Sequence, residues 1–187
     1  MITYRRMDAS CLARYDEIPV HLRVESVLEP QKMENGLGGI LFKEVPVEPR
    51  DKDFAGYERA AEFGELYDIA NWGFFMAFDG EKPVGGVTVA AKTSEITEGR
   101  DDLCILWDIR VDDAYKRRGV GDALFGMAVD WARAQNCRLM KMEAQNNNVP
   151  ACNLYVKHGA LLGEISEYAY EEPERQKEVM LVWHLKL

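Results

Sequence analysis

The sequence predicts an α/β fold: a mixed, mostly antiparallel sheet with one parallel strand pair, flanked by helices. Three observations carry this: β-rich runs joined by turn chemistry before residue 92, a strand–helix–strand–helix order after residue 103, and a composition suited to one packed core. The 187 residues are 47% hydrophobic and 29% charged, and a chain of this length buries roughly 70% of its unfolded surface. Disorder and collagen-like character are excluded, and a single domain over 1–187 is the simplest organisation.

The elements follow in order. Residues 2–6, 72–78 and 84–91 read as strands, the last two joined by Asp79-Gly80-Glu81-Lys82-Pro83, which has hairpin chemistry. Residues 36–53 and 94–102 read as irregular, and helices and loops are expected before the main sheet. Residues 103–111 form another β-rich run. Beyond it Val120, Gly121, Leu124, Phe125, Ala128, Val129 and Ala132 recur at three- and four-residue spacing, the mark of an amphipathic helix. A short strand over 139–144 and a helix over 149–157 come next, the helix closed by Gly159, a residue suited to a left-handed cap. Two β-rich runs, 160–170 and 178–187, end the chain, separated by the polar turn Glu171-Glu172-Pro173-Glu174-Arg175. The strand–helix–strand order within 103–145 is the parallel crossover.

Charge narrows the partners. Lys and Arg number 23 against 32 Asp and Glu, a formal net charge of −9, which disfavours nucleic acid and suits a cationic substrate. No apolar run approaches the ~18 residues of a membrane span, and Met1-Ile2-Thr3-Tyr4-Arg5-Arg6 lacks the apolar core of a signal peptide, so the expected location is the cytoplasm, without a membrane partner. Cys11, Cys104, Cys137 and Cys152 are scattered, with neither Cys-x-x-Cys pairing nor histidines at ligand spacing. They read as reduced, mostly buried thiols, and no metal site is expected. His21, His158 and His184 have no nucleophile motif around them and read as structural or surface groups. Trp72, Phe74, Phe75, Phe78 and Trp183 read as core.

Two segments carry chemistry. Val111-Asp112-Asp113-Ala114-Tyr115-Lys116-Arg117-Arg118-Gly119-Val120-Gly121 follows a strand and opens into the long helix. First-turn N–H groups have no partner inside a helix and lie at the positive end of its dipole, so glycines there let a phosphate approach. Taken alone, the loop reads equally as a helix cap with solvated basic residues. The second segment, Glu143-Ala144-Gln145-Asn146-Asn147-Asn148-Val149-Pro150-Ala151-Cys152-Asn153-Leu154-Tyr155, is a polar strand end running into a helix.

Together these segments resemble the GNAT superfamily of acyl-CoA-dependent N-acetyltransferases, whose signature is Gln/Arg-x-x-Gly-x-Gly/Ala after one strand and Asn-x-x-Ala-x-x-Leu-Tyr-x-x-x-Gly-Phe after the next. The matches are Lys116 through Gly121, then Asn148, Ala151, Leu154, Tyr155 and Gly159. Lys116 stands where Gln or Arg is usual, Asp113 where Pro is frequent, and Ala160 where the family has Phe. Within the superfamily, Trp107-Asp108-Ile109-x-Val111, the Asn-rich run and Ala151-Cys152 are most similar to the streptothricin acetyltransferase type, with Trp107 where such enzymes often carry Glu.

The resemblance implies a GNAT-like sheet with its parallel strand pair splayed. It implies acetyl-CoA as donor, held by Ile109, Val111, Lys116, Arg117, Arg118, Gly119, Val120, Gly121, Asn148, Ala151 and Tyr155. Residues 1–71 would be the acceptor side and 72–187 the sheet core and cofactor site. Transfer to a primary amine of a cationic small molecule, a streptothricin-like antibiotic or a polyamine, would proceed by direct attack in a ternary complex. A protein or peptide N-acetyltransferase, or a non-catalytic acyl-CoA sensor, are the alternatives, and a homodimer fits the family.

An attacking amine must first lose a proton to a base. Strict alternation places Cys104, Leu106, Asp108 and Arg110 on one face and Ile105, Trp107, Ile109 and Val111 on the other. Asp108 is then the base, the contact for a substrate ammonium, or a structural carboxylate. On the next strand Met142 and Ala144 point to the core, and Glu143 and Gln145 point away from it. Glu143 reads as partner to Asp108 across one cleft, or as a solvated strand-end residue. The Tyr155 hydroxyl would protonate the departing sulfur, or serve the core as tyrosines commonly do. Asn148 would bind pantetheine, cap the helix, or do both.

Overall fold

The computed structural model describes residues 1–52, 54, 58–170, 175 and 177–187. Of the expected polar turn, only Arg175 lies among them. The elements are β1 (Ile2–Met7), α1 (Leu12–Tyr15), β2 (Leu22–Lys32), β3 (Ile40–Lys52), α2 (Phe63–Leu66), β4 (Gly73–Asp79), β5 (Lys82–Ala91), β6 (Leu103–Val111), α3 (Val120–Ala134), β7 (Leu139–Gln145), α4 (Val149–Lys157), β8 (Leu161–Ser166) and β9 (Met180–Lys186). Strands pair in the order β1-β4-β5-β6-β7-β9-β8, with β2-β3 as a separate ribbon. Two compact units result, one from Met1–His21, Phe54–Met142 and His184–Leu187, the other from Leu22–Asp53 and Glu143–Trp183.

In the first unit β1, β4, β5 and β6 are antiparallel neighbours, and Asp79 pairs with Lys82 across the expected tight turn, where Gly80 adopts φ 60°. The parallel ladder of β6 and β7 runs from Leu103↔Leu139 to Leu106↔Met142. Helix α3 buries Val120, Leu124, Phe125, Ala128 and Ala132, the stripe its periodicity marked. Tyr15, Phe63, Trp72, Phe74, Met76 and Phe78 form a second cluster, with Ile105 and Trp107 packed against it.

One sequence expectation fails here for a local reason. Thr88 pairs with Asp108, but Val89 pairs with Leu106, so Trp107 is an extra residue in β6, a β-bulge. A bulge slips side-chain alternation by one place. Asp108 and Arg110 therefore reach Tyr15, whose cluster Ile105 and Trp107 also join, instead of sharing a face with Cys104 and Leu106. Gly86, the partner of Arg110 in β5, has no room for a side chain because a Cβ there would overlap the Tyr15 ring.

In the second unit, residues expected to be helix, loop or irregular form the β2–β3 hairpin, paired from Leu22↔Lys52 to Lys32↔Ile40 with a register shift between Val24 and Ser26. Its strands expose much of their length, so they lack the clean alternation that marks a half-buried strand. Buried Asn146 ties the ribbon in place: its carbonyl accepts from Leu28 N, its backbone N–H donates to Val179 O, and its side-chain amide donates to Leu28 O at 3.1 Å. Helix α4 ends as expected at Gly159, φ 85°, with Ala160 N bonded to Tyr155 O.

Candidate active site

The loop before α3 is shaped for an anion. Asp112 caps a 3-10 turn over Asp113–Tyr115 by accepting from Ala114 N, and Lys82 donates to Asp112 Oδ2 at 2.7 Å. The chain then turns through Arg117, φ 59°, and Gly119, φ 82°, into the helix. Gly119 is the N-cap and brings no side-chain bond to the first turn. A Cβ at Gly119 would meet nothing within 4 Å, and one at Gly121 only Val111 Cγ2 at 3.8 Å. Uncapped N–H groups beside open space, with two arginines just upstream, suit a diphosphate. Arg118 lies 4.9 Å from the Tyr115 ring centroid. Lys116 points elsewhere, binding Asp113 and donating to His21 O at 2.8 Å, while His21 Nδ1 also contacts Asp113. His21 thus braces this loop. Val120 is buried, whereas Ile109 and Val111 are half-buried on β6 beyond the last residue paired with β7.

Asp108 sits in an ion cluster. Its Oδ2 accepts from Tyr15 Oη at 2.7 Å and from Arg110 Nε at 2.7 Å, and Arg110 reaches Asp16 at 3.6 Å. The Arg110 side chain is only 10% exposed, and its guanidinium lies 4.7 Å from the Tyr15 ring centroid. Burial alone disfavours its charge, but Asp108, Tyr15 and Asp16 outweigh that and raise its pKa. Burial, then the Asp108 carboxylate, push the Tyr15 phenol well up. Trp107 lies among Phe63, Tyr67 and Trp72, its ring centroid 5.0 Å from that of Tyr67.

The other unit holds Glu143, whose surroundings contrast with these. Met142 and Ala144 are buried as expected, while Glu143 is exposed and Gln145 half-buried. Glu143 Oε1 accepts from Tyr170 Oη at 2.8 Å and from Gln145 Nε2 at 3.2 Å. Behind them lies a buried ion pair, Lys52 Nζ to Glu178 Oε2 at 2.9 Å, with Asn147 donating to Glu178 Oε1 at 2.7 Å. Burial lowers the Lys52 pKa against the pull of Glu178; it pushes the Glu178 carboxyl up, yet Lys52 and Asn147 prevail and hold it below its usual value.

Asn148 caps α4, accepting from Ala151 N at 3.3 Å. Ala151 is half-buried in the first turn, and Tyr155 is buried, its ring 6.5 Å from that of Trp183. Cys152 beside it is buried, and burial pushes its thiol up to about 12. All four cysteines are free and buried, as expected.

A model of the acetyltransferase (GNAT) family matches residues 43–160. The chain belongs to this family. The streptothricin acetyltransferase of Escherichia coli is 31% identical over 139 residues, 74% of this chain and 71% of that protein. Streptothricin acetyltransferase A of Bacillus subtilis (strain 168) is 34% identical over 93 residues, 49% of this chain and 53% of that protein. Among solved structures, a candidate streptothricin acetyltransferase from Bacillus anthracis str. Ames, in complex with acetyl coenzyme A, superposes with a TM-score of 0.79 at 23% identity over 100% of both chains.

As a GNAT enzyme the chain is an acetyl-CoA-dependent N-acetyltransferase, and its mixed sheet, parallel β6–β7 pair and glycine-led α3 are the family's fold. Among the described residues no helix is long and apolar enough to cross a membrane. Motif reading missed Tyr15, Arg110 and Asp16 around Asp108, His21 at the loop, and Lys52, Tyr170 and Glu178 behind Glu143. Arg110 occupies the unspecified position of Trp107-Asp108-Ile109-x-Val111 and the others lie outside the motifs, so tertiary contact is what reveals their partners.

Proposed function

We propose that this GNAT enzyme acetylates a primary amine of a cationic small molecule of the streptothricin kind by direct attack in a ternary complex. The observation that carries the donor half is the uncapped, glycine-led start of α3 with Arg117 and Arg118 upstream. The acceptor half rests on the two streptothricin acetyltransferases related by sequence and on a net charge of −9.

In this reading the backbone of 117–121 holds the diphosphate, and Ile109 and Val111 offer peptide groups to the pantetheine arm. Glu143 takes the ammonium proton and Tyr155 gives one to the departing thiolate. Glu143 is favoured over Asp108 as base because no cation lies on it among the described contacts, whereas Asp108 already neutralises Arg110. Asp108 instead organises the acceptor side. Asn148 primarily caps α4, and Lys116 contributes through loop geometry. Residues 1–71 are proposed as the acceptor side and 72–187 as the sheet core and cofactor site of a single acyltransferase domain, with a homodimer as the proposed assembly.

The test is acetyl-CoA-dependent thiol release over streptothricin, polyamines and basic peptides, with acetylated product identified by mass. Transfer to streptothricin but not to peptides is expected. Turnover on peptides alone would replace the small-molecule reading, and acetyl-CoA binding without turnover on any amine would favour a sensor.

A further inference from the structure

The Glu143 carboxylate is one end of a polar chain that continues into the interior of its unit. Tyr170 Oη and Gln145 Nε2 both donate to the same oxygen, Oε1, at 2.8 and 3.2 Å, and Gln145 Nε2 also lies 3.0 Å from Tyr170 Oη. The orientation of the Gln145 amide follows from its other end. Its Oε1 accepts from Lys52 Nζ at 3.2 Å, and since an ammonium only donates, the amide nitrogen must face Glu143. Lys52 is held in turn by Glu178, the two side chains 5% and 7% exposed. Arg175 closes the circuit, bonded to Glu178 Oε2 at 3.4 Å and stacked 3.7 Å from the Tyr170 ring centroid.

A buried lysine and glutamate are costly unless each finds partners. Here their partners come from β3, β7 and the segment before β9, and they brace the exposed carboxylate. Glu143 is exposed and both donors sit on Oε1, so Oε2 is the oxygen that carries no described hydrogen bond. Placing a base within hydrogen-bond reach of an incoming amine is an orientation problem, and anchoring the carboxylate through Oε1 before substrate arrives removes part of that cost from the reaction.

We propose that Tyr170 and Gln145 are positioning residues that aim Glu143 Oε2 at the acceptor amine, and that the Lys52–Glu178 pair locks them in place. This rests on Glu143 as the base. The role differs from general structural support because it acts through one carboxylate.

The experiment is a double-mutant cycle in the full-length enzyme with streptothricin as acceptor, comparing wild type, Tyr170→Phe, Glu143→Gln and the double variant. Tyr170→Phe should lower kcat about tenfold, the worth of one hydrogen bond to a charged group, with the KM for acetyl-CoA unchanged. In the Glu143→Gln background the same substitution should lower kcat by less than twofold. Gln145→Met should repeat the pattern, which guards against a folding defect peculiar to one variant. An equal tenfold loss in both backgrounds would overturn the positioning role while leaving Glu143 as base. Full activity in Glu143→Gln would overturn the base assignment itself, and with it this inference.

Discussion

Asp108 and Glu143 are both strand carboxylates that accept a tyrosine hydroxyl, yet their surroundings make them different reagents. Asp108 shares Oδ2 between Tyr15 and the nearly buried guanidinium of Arg110, and a second carboxylate, Asp16, approaches the same arginine. Glu143 is exposed and held on one oxygen by two neutral donors, one of which, Gln145, accepts in turn from Lys52. The first arrangement binds a carboxylate into the fold. The second leaves one exposed and anchored through a single oxygen, and the proposed role of each acid follows from what its oxygens already hold.

The sharpest way to break the comparison is to remove the cation from the first site. Arg110→Ala leaves Asp108 without its cation beside a buried phenol, while Asp16 keeps Ala60 N, Ala61 N and Arg59, and breaking a buried pair costs about 3–5 kcal/mol. A fall of that size in unfolding free energy, read by denaturant titration, is expected. A loss below about 1 kcal/mol would mean that water already screens the cluster and that Asp108 is as available as Glu143.

A gentler test uses pH. The Tyr15 phenol is raised by burial and by Asp108, so the folded protein keeps a proton that the unfolded chain loses near 10. Its contribution is therefore whole below pH 10 and is lost as pH climbs through the raised folded value. The unfolding midpoint should decline above pH 10 more steeply in wild type than in Tyr15→Phe. Equal slopes would show that Tyr15 is not held neutral by its cluster.

How far the sequence reaches differs between the same two regions. Helix α3, the β4–β5 hairpin and α4 were legible because their apolar spacing, turn residues and closing glycine all agree, and the glycine loop was legible from its place between strand and helix. The β2–β3 ribbon was not. With residues such as Ile40 and Leu41 exposed and Pro30, Pro46 and Pro49 interrupting it, neither face shows the alternation of a half-buried strand. The bulge at Trp107 was equally hidden, since one extra residue changes the face of Asp108 and Arg110 without changing the letters around them. Tyr155, Asn148, Asp108 and Glu143 could be picked out from motif and strand position. Arg110, Tyr15, Lys52 and Tyr170 could not, because a buried charge is recognised by the partner that neutralises it, and those partners are as much as 126 residues away in the chain.

The most direct measurement takes Glu143→Gln and Asp108→Asn side by side, recording kcat for streptothricin acetylation and the unfolding midpoint of each. The account predicts that Glu143→Gln loses about a hundredfold in kcat, in line with removal of a general base, and keeps its midpoint, whereas Asp108→Asn loses midpoint and retains most of kcat. The opposite pattern, with turnover lost in Asp108→Asn and kept in Glu143→Gln, would contradict it and move the base to Asp108.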